Sequence, residues 1–268
     1  LSRGRISILG CGWLGIPLAE ALVADSWSVR GSTRSSPLPP GIEPYHFDLR
    51  AGSSPEIFGD FFAADIAIIA FPPGRSPDVE TRLPAQVAIL AAAIAKSAIR
   101  HVIFASSTSV YPSCNQRIDE SCNLPPDKAS GRALIVAESA LRSSPHFDCT
   151  VLRLAGLIGP GRCPGTFLAG KKDVCGGDCP VNLIHQADVI GIIREVIAQD
   201  AWGKLFNAVA DEHPARREYY TEAARALGLS PPCFCESTTD WKIIDNGRLK
   251  TELDFRFRFP NPTTCLRA

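Results

Sequence analysis

Residues Ile6 to Gly15 read Ile-Ser-Ile-Leu-Gly-Cys-Gly-Trp-Leu-Gly. A short apolar run ends in three glycines spaced G-x-G-x-x-G, at Gly10, Gly12 and Gly15, and an amphipathic stretch, Trp13 to Ala24, follows directly. The pattern predicts a buried strand, a tight turn, and a helix whose N-terminus points back at the turn. Gly10 permits the turn, Gly12 lets a pyrophosphate approach the backbone, and Gly15 lets the helix pack close to the strand. The amides at Trp13 and Leu14 and the positive end of the helix dipole favour a bound anion. The competing reading is a glycine turn between strand and helix with no ligand.

Working outward, Trp27 to Thr33 reads as a second strand ending in Ser32, Thr33 and Arg34. At this strand end, an acidic residue would hydrogen-bond the ribose 2′-hydroxyl of NAD, whereas an arginine accommodates the 2′-phosphate of NADP. Because Ser32, Thr33 and Arg34 stand there, NADP(H) is favoured and NAD(H) is the second choice. A solvated loop charge is the plainer reading of Arg34. Pro37 to Pro44 reads as a surface loop, and Tyr45 to Leu49 as a short third strand ending in Asp48, which would face the adenine or cap the next turn. The continuous apolar run Ala64 to Phe71 predicts a central strand buried on both faces. It runs into Phe71-Pro72-Pro73, a rigid loop expected to pass under the cofactor. Thr81 to Ser97 reads as a helix and His101 to Ser106 as the next strand. This alternation is that of a doubly wound α/β sheet of Rossmann type, with ligands at the carboxyl ends of its strands.

Composition narrows the function classes. The 268 residues carry 28 Lys+Arg and 28 Asp+Glu, so no net charge marks a nucleic-acid or anionic membrane surface. The apolar run Val87 to Ala95 is far too short to span a bilayer. With a strand opening at Ile6, the reading expects no signal peptide and a cytoplasmic location. The 10 cysteines are scattered, and none forms a C-x-x-C pair. Cys175 and Cys179 lack a second ligand pair at zinc spacing, so free thiols and no metal site are expected.

Downstream, the stretch Ser106-Ser107-Thr108-Ser109-Val110-Tyr111-Pro112 resembles the S-S-x-x-V-Y-G stretch of extended short-chain dehydrogenases/reductases, the NAD-dependent epimerase/dehydratase group. Val151 to Arg162 resembles that family's L-R…N-x-Y-G-P-G-R segment. Asn182 to Val189 is similar to its F-I-H-V-x-D-V, and Leu205 to Val209 to its Y-N-V. The resemblance runs from Ile6 to about Leu227. It implies a nicotinamide-dependent activity on a small substrate, anionic or sugar-derived, with a homodimer as a further option. The G-x-G-x-x-G spacing, in place of the family's G-x-x-G-x-x-G, points to an atypical branch.

The family performs its chemistry with a Tyr-x-x-x-Lys pair and a serine. The resemblance puts the serine at Ser107, beside Thr108. Ser130 to Glu138 is similar to Y-G-x-S-K-x-x-x-E, so Ser130 stands at the tyrosine position and Leu134 at the lysine position. A serine hydroxyl is too weak an acid for that role, and leucine carries no charge. Tyr111 is the nearest phenol; Lys128, Arg132 and His185 are further candidates, and a buried structural histidine is the competing reading of His185. Glu138 reads as a solvated helix charge. Arg162, after a G-P-G turn, would grip a phosphate or carboxylate or simply lie on the surface. The expected organisation is a dinucleotide-binding domain at 1–155, with 183–210 returning to it, and a smaller substrate lobe at 156–182 and 211–268. Phe255, Phe257 and Phe259 alternate with polar residues in a half-exposed strand or tail. Two functions stay open: an oxidoreductase or epimerase with an unidentified acid, and a catalytically silent NADP(H)-binding sensor or scaffold. A β-hydroxyacid-type dehydrogenase shares the glycine spacing but would need a long all-helical second domain.

Overall fold

The glycine stretch lies where the first strand meets the first helix. A computed structural model describes residues 3–34, 37–50, 52–74 and 76–267. The chain opens with β1 (Arg5–Leu9), α1 (Gly15–Ala24), β2 (Ser28–Thr33), β3 (Ile42–His46), β4 (Ile66–Ile69), α2 (Val79–Ala95) and β5 (His101–Ser107). It continues with β6 (Gln116–Ile118), α3 (Ala129–Arg142), β7 (Asp148–Leu154), β8 (Gly156–Ile158), α4 (Gly165–Leu168), β9 (Leu183–His185) and α5 (Gln186–Ala198). β10 (Leu205–Ala208), α6 (Arg216–Ala226), β11 (Lys242–Ile244) and α7 (Gly247–Leu253) complete it.

Seven strands form one sheet in the order β10-β7-β5-β4-β1-β2-β3. The pairings of β1 with β2 and β4, of β2 with β3, and of β4 with β5 are all parallel. The order turns back on itself at β1, whose neighbours are β2 on one side and β4 on the other, which is the switch point where such sheets bind ligands. β4 is an unbroken apolar run, and in β1 Ser7 is buried between Ile6 and Ile8 with its hydroxyl donating to the Phe61 carbonyl. Ile6, Ile8, Ile68 and Ile69 are fully buried, as strands covered on both faces must be. Helix α2 carries Leu83, Val87, Leu90 and Ile94 on its buried face at helical spacing.

The third strand differs from the sequence expectation: it spans Ile42–His46, three residues earlier than Tyr45. Ile42 is buried and pairs with Val29, and Pro44 stands opposite Gly31. β3 is an edge strand, so the missing proline N–H removes no ladder bond. Proline content alone had pointed to a loop.

The chain divides into two compact units. The first comprises Leu1–Val110, Pro125–Arg153 and Ile193–Phe206; the second comprises Tyr111–Leu124, Leu154–Ile192 and Asn207–Ala268. Residues 111–124 and 183–192, expected in the dinucleotide-binding domain, therefore cluster with the second unit. The reason for the former is β6, which pairs in parallel with β11 across a long sequence separation. In the same unit β8 pairs with β9, and α4 packs on α6 at Gly165, where a Cβ would stand 2.2 Å from the Ala223 carbonyl oxygen. After α7, residues 254–261 form no strand, and a 3-10 helix, Pro262–Arg267, follows. Phe255, Phe257 and Phe259 are half-buried while their polar neighbours are exposed. The Asp188 carboxylate fixes the tail by accepting the Arg258 and Phe259 amides at 2.7 and 3.1 Å. Among the described residues, no helix is long and apolar enough to cross a membrane.

Candidate functional site

The glycine loop is set by backbone geometry. Gly10 has φ +102°, which L side chains rarely adopt, and a Cβ there would stand 3.0 Å from the Phe71 amide nitrogen. At Gly15 a Cβ would come within 2.3 Å of the Gly10 carbonyl oxygen, so only glycine lets α1 start this close to the strand. Gly12 is the opposite case. It is exposed, and a Cβ there would meet nothing within 4 Å. Helix α1 begins at Leu14 with no side-chain cap and no acidic residue in its first turn. Among the described residues, no side-chain cap occupies the N-cap of this helix.

Ser32 braces this loop, which the sequence did not reveal. Its hydroxyl accepts the Gly10 amide at 2.9 Å, and its carbonyl accepts the Cys11 amide at 2.8 Å. Cys11, between the two glycines, is buried against the end of β2, and burial pushes its thiol up to about 12. Thr33 is buried and Arg34 exposed at the end of β2. Trp13 is half-buried beside Gly12. Asp48 lies beyond β3, exposed, with Arg50 at 2.9 Å. The first turns of α2 tie down the neighbouring loops: Arg82 donates to the Pro73 carbonyl at 2.6 Å and Gln86 to the Leu49 carbonyl at 2.5 Å. Pro72 between them is exposed.

The serine stretch forms the end of β5 and a 3-10 turn, Thr108–Val110. Ser107 Oγ accepts the Ser109 amide at 3.1 Å, which leaves its own proton to donate. Thr108 is buried. Helix α3 lies flush on this turn, because a Cβ at Gly131 would stand 2.1 Å from the Ser109 carbonyl oxygen. The close approach brings the start of α3, with half-buried Ser130, to the serine turn. Leu134 is 1% exposed and sits in the core.

The charges nearby are committed to other partners. Glu138, read from sequence as solvated, is 3% exposed and pairs with buried Arg153 at 2.6 Å, while Ser106 donates to it at 2.5 Å. Helical spacing places Glu138 one turn after Leu134 on the buried face, and the arginine that neutralises it comes from β7. Arg132 is held by Glu80 at 2.5 Å and by the Pro126 and Asp127 carbonyls. Lys128 is exposed at the cap position of α3.

In the second unit, Tyr111 is 2% exposed, and its phenol donates to Asn207 Oδ1 at 2.8 Å. The Lys242 ammonium contacts its carbonyl oxygen. The phenol considered as a candidate acid is thus buried, with its hydroxyl engaged by Asn207. Asn207 in turn donates its amide to Glu120 at 2.6 Å and its side chain to the Asp245 carbonyl at 3.1 Å. His185 Nδ1 accepts the Ala187 amide at 3.2 Å, and its ring lies 3.9 Å from that of Phe259. Burial, with Arg258 second, pulls its pKa down. Arg162 is exposed after the Gly159-Pro160-Gly161 turn. Among the described residues, no group of three or more His, Cys, Asp or Glu is arranged to hold a metal ion.

Comparison with known proteins agrees with this geometry. The profile of the "NAD dependent epimerase/dehydratase family" matches residues 6–172. Protein YeeZ of Escherichia coli K12 is 38% identical over 272 residues, covering 96% of this chain and 97% of that protein. A functionally unknown conserved protein from Silicibacter pomeroyi is 26% identical with a TM-score of 0.76, covering 99% of this chain and 97% of that one. MoeE5, solved in complex with UDP-glucose and NAD, is 19% identical with a TM-score of 0.81, covering 98% and 96%. The chain, a Rossmann-type α/β protein, belongs to the NAD-dependent epimerase/dehydratase family.

Proposed function

We propose that this protein is an NADP(H)-preferring oxidoreductase or epimerase acting on a small, anionic or sugar-derived carbonyl or hydroxyl compound in the cytoplasm. The observation that carries the reading is the contrast at the glycine loop. Gly15 seals the helix to the strand, while the space above Gly12 is open and the first turn of α1 is uncapped. A pyrophosphate fits that cradle, with the Gly12 to Gly15 backbone holding it and Phe71 and Pro72 bordering it. Arg34, with no acidic residue beside it at the end of β2, would take a 2′-phosphate. When bound, the nicotinamide supplies or accepts a hydride.

The chain's own contribution is orientation and polarisation. Ser107, its lone pair engaged by the Ser109 amide, donates its proton to a substrate oxygen. Ser130 adds a second hydroxyl at the start of α3. Neither hydroxyl ionises near neutral pH, so they polarise the oxygen and a further acid supplies the proton. Arg162 is the candidate for an anionic substrate group. The UDP-glucose bound by MoeE5 makes a nucleotide-sugar a reasonable first substrate to try.

The silent sensor is kept as a second reading because of one observation: the nearest phenol, Tyr111, is buried and bonded to Asn207. Both readings meet in one experiment. NADPH consumption is followed with a panel of small carbonyl compounds and oxidised nucleotide-sugars, and epimer formation from nucleotide-sugars by product analysis in the presence of NADP or NAD, for wild type and Ser107→Ala. The enzyme reading expects turnover with at least one compound and a fall in kcat of about 100-fold in the variant, with KM little changed. Saturable NADPH binding without turnover on any compound transfers the weight to the sensor.

A further inference from the structure

Two thiols far apart in sequence meet in the second unit. Lys171 to Gly176 and Cys233 to Ser237 run side by side. Cys233 donates its amide to the Lys171 carbonyl, Val174 to Cys233, Cys235 to Val174, and Gly176 to Ser237, at 2.9 to 3.1 Å. The bridge between Val174 and Phe234 is parallel, which sets Cys175 beside Cys235. Their Sγ atoms are 3.4 Å apart in an S–H···S contact. Cys175 is exposed and Cys235 half-buried, and both are free thiols. We propose that Cys175 and Cys235 form a reversible dithiol–disulfide site, oxidised by low-molecular-weight disulfides of the glutathione class.

Geometry carries this. A disulfide needs the sulfurs at about 2.05 Å, so the gap closes by roughly 1.4 Å, within reach of χ1 adjustment on adjacent backbone segments. Chemistry assigns the order. Cys235 is the attacking sulfur: the Ser237 amide, the Cys175 thiol and the Ser237 hydroxyl hold its pKa below the ordinary thiol value. The contact with Cys235 raises Cys175, which remains a thiol. The Cys235 thiolate attacks one sulfur of glutathione disulfide, forming a mixed disulfide and releasing one glutathione thiolate. Cys175 then loses its proton and attacks Cys235 Sγ, releasing the second glutathione. Two protein thiols and one small disulfide thus become one protein disulfide and two glutathione thiols. Cys235 also lines a polar cavity of about 450 Å³ with Gly176, Cys179, Glu236, Thr239 and Trp241, so the bond forms in the wall of a cleft.

The other eight cysteines provide the internal comparison. Cys11 and Cys149 are buried, with burial raising both thiols. Cys233 is exposed but two residues from Cys235 along the chain, and Cys179 contacts Thr239. The test is incubation of the reduced full-length protein with glutathione disulfide, acid quench, alkylation and peptide mass mapping. The expected result is loss of two thiols per chain, a linked Cys175–Cys235 peptide, and full return with dithiothreitol. Cys175→Ser should arrest as a glutathione adduct on Cys235, and Cys235→Ser should slow modification of Cys175 at least about tenfold. Separate adducts on Cys175 and Cys235 without a link overturn the proposal. So does a link that joins either one to Cys179 or Cys233, or a wild-type protein in which both thiols stay free. The wild-type measurement decides this even if a variant misfolds.

Discussion

Two turns in this molecule are built alike and differ in what they offer. In one, β1 passes through Gly10 to Gly15 into α1; in the other, the Ser107 to Val110 turn after β5 is capped by the start of α3. In each, a glycine lies under a carbonyl oxygen, with the missing Cβ 2.3 Å from Gly10 O at Gly15 and 2.1 Å from Ser109 O at Gly131. The same packing device brings a helix start onto a strand end twice. The first turn leaves the space at Gly12 open and the start of α1 without a side-chain cap. The second presents hydroxyls, with Leu134 buried where the family pattern carries lysine. Backbone packing thus gives the two turns the same close helix approach, while the groups they expose differ.

The largest effect expected is at the base of the second turn. Glu138→Ala removes the carboxylate that neutralises buried Arg153 and should cost ~3–5 kcal/mol in denaturant unfolding. A loss within about 0.5 kcal/mol would mean the pair contributes nothing to holding α3 on the sheet.

Next come the two glycines themselves. Gly15→Ala and Gly131→Ala each force a methyl onto a backbone oxygen and should each destabilise by ~1–3 kcal/mol, or more if the helix cannot shift. The comparison is sharpened if Gly15→Ala also abolishes dinucleotide binding while Gly131→Ala leaves it intact. It breaks if the two variants lose cofactor affinity equally.

A smaller effect is expected at the end of β2. Arg34→Ala should weaken NADPH binding about tenfold, or ~1.4 kcal/mol, and leave NADH binding unchanged. Equal weakening of both cofactors would remove the 2′-phosphate from the account.

The smallest effect is a pH dependence in the second unit. His213 has a buried Nδ1 without a hydrogen-bond partner, and burial, its largest influence, pulls the pKa below 6.5. A histidine depressed in the folded state takes up a proton more readily when unfolded. Its contribution is therefore intact above the unfolded pKa of about 6.5 and is lost as pH falls toward the folded value. His213→Gln should flatten the decline in stability between about pH 6.5 and 5 relative to wild type. Parallel pH profiles would contradict that role.

Much of this contrast was legible in the sequence. Short, mostly apolar runs gave β1 and β4, and the G-x-G-x-x-G spacing located the loop because Gly10 and Gly15 answer local steric demands. β3 was misplaced because Pro44 reads as a loop residue and nothing local reveals that it stands on a sheet edge. Glu138 was misread because its burial depends on Arg153, which arrives from another strand. Tyr111 was offered as an acid because the sequence could not show Asn207 waiting for its phenol. The Cys175–Cys235 pair was invisible for the same reason: its spacing of 60 residues has no local signature. Local sterics can be read along the chain, whereas partners supplied from elsewhere in the fold cannot.

The most direct test of the central claim is a fluorescence titration of wild type and Gly12→Ala with NADPH and NADH, alongside their unfolding without cofactor. A Cβ at Gly12 meets nothing within 4 Å, so the free protein should keep its stability within about 0.5 kcal/mol. NADPH affinity should fall at least about tenfold, because in the proposed binding mode the methyl would occupy the space of the pyrophosphate. Unchanged NADPH binding in Gly12→Ala, or no saturable binding of either nucleotide to wild type, would contradict the claim that this loop is a working cofactor site.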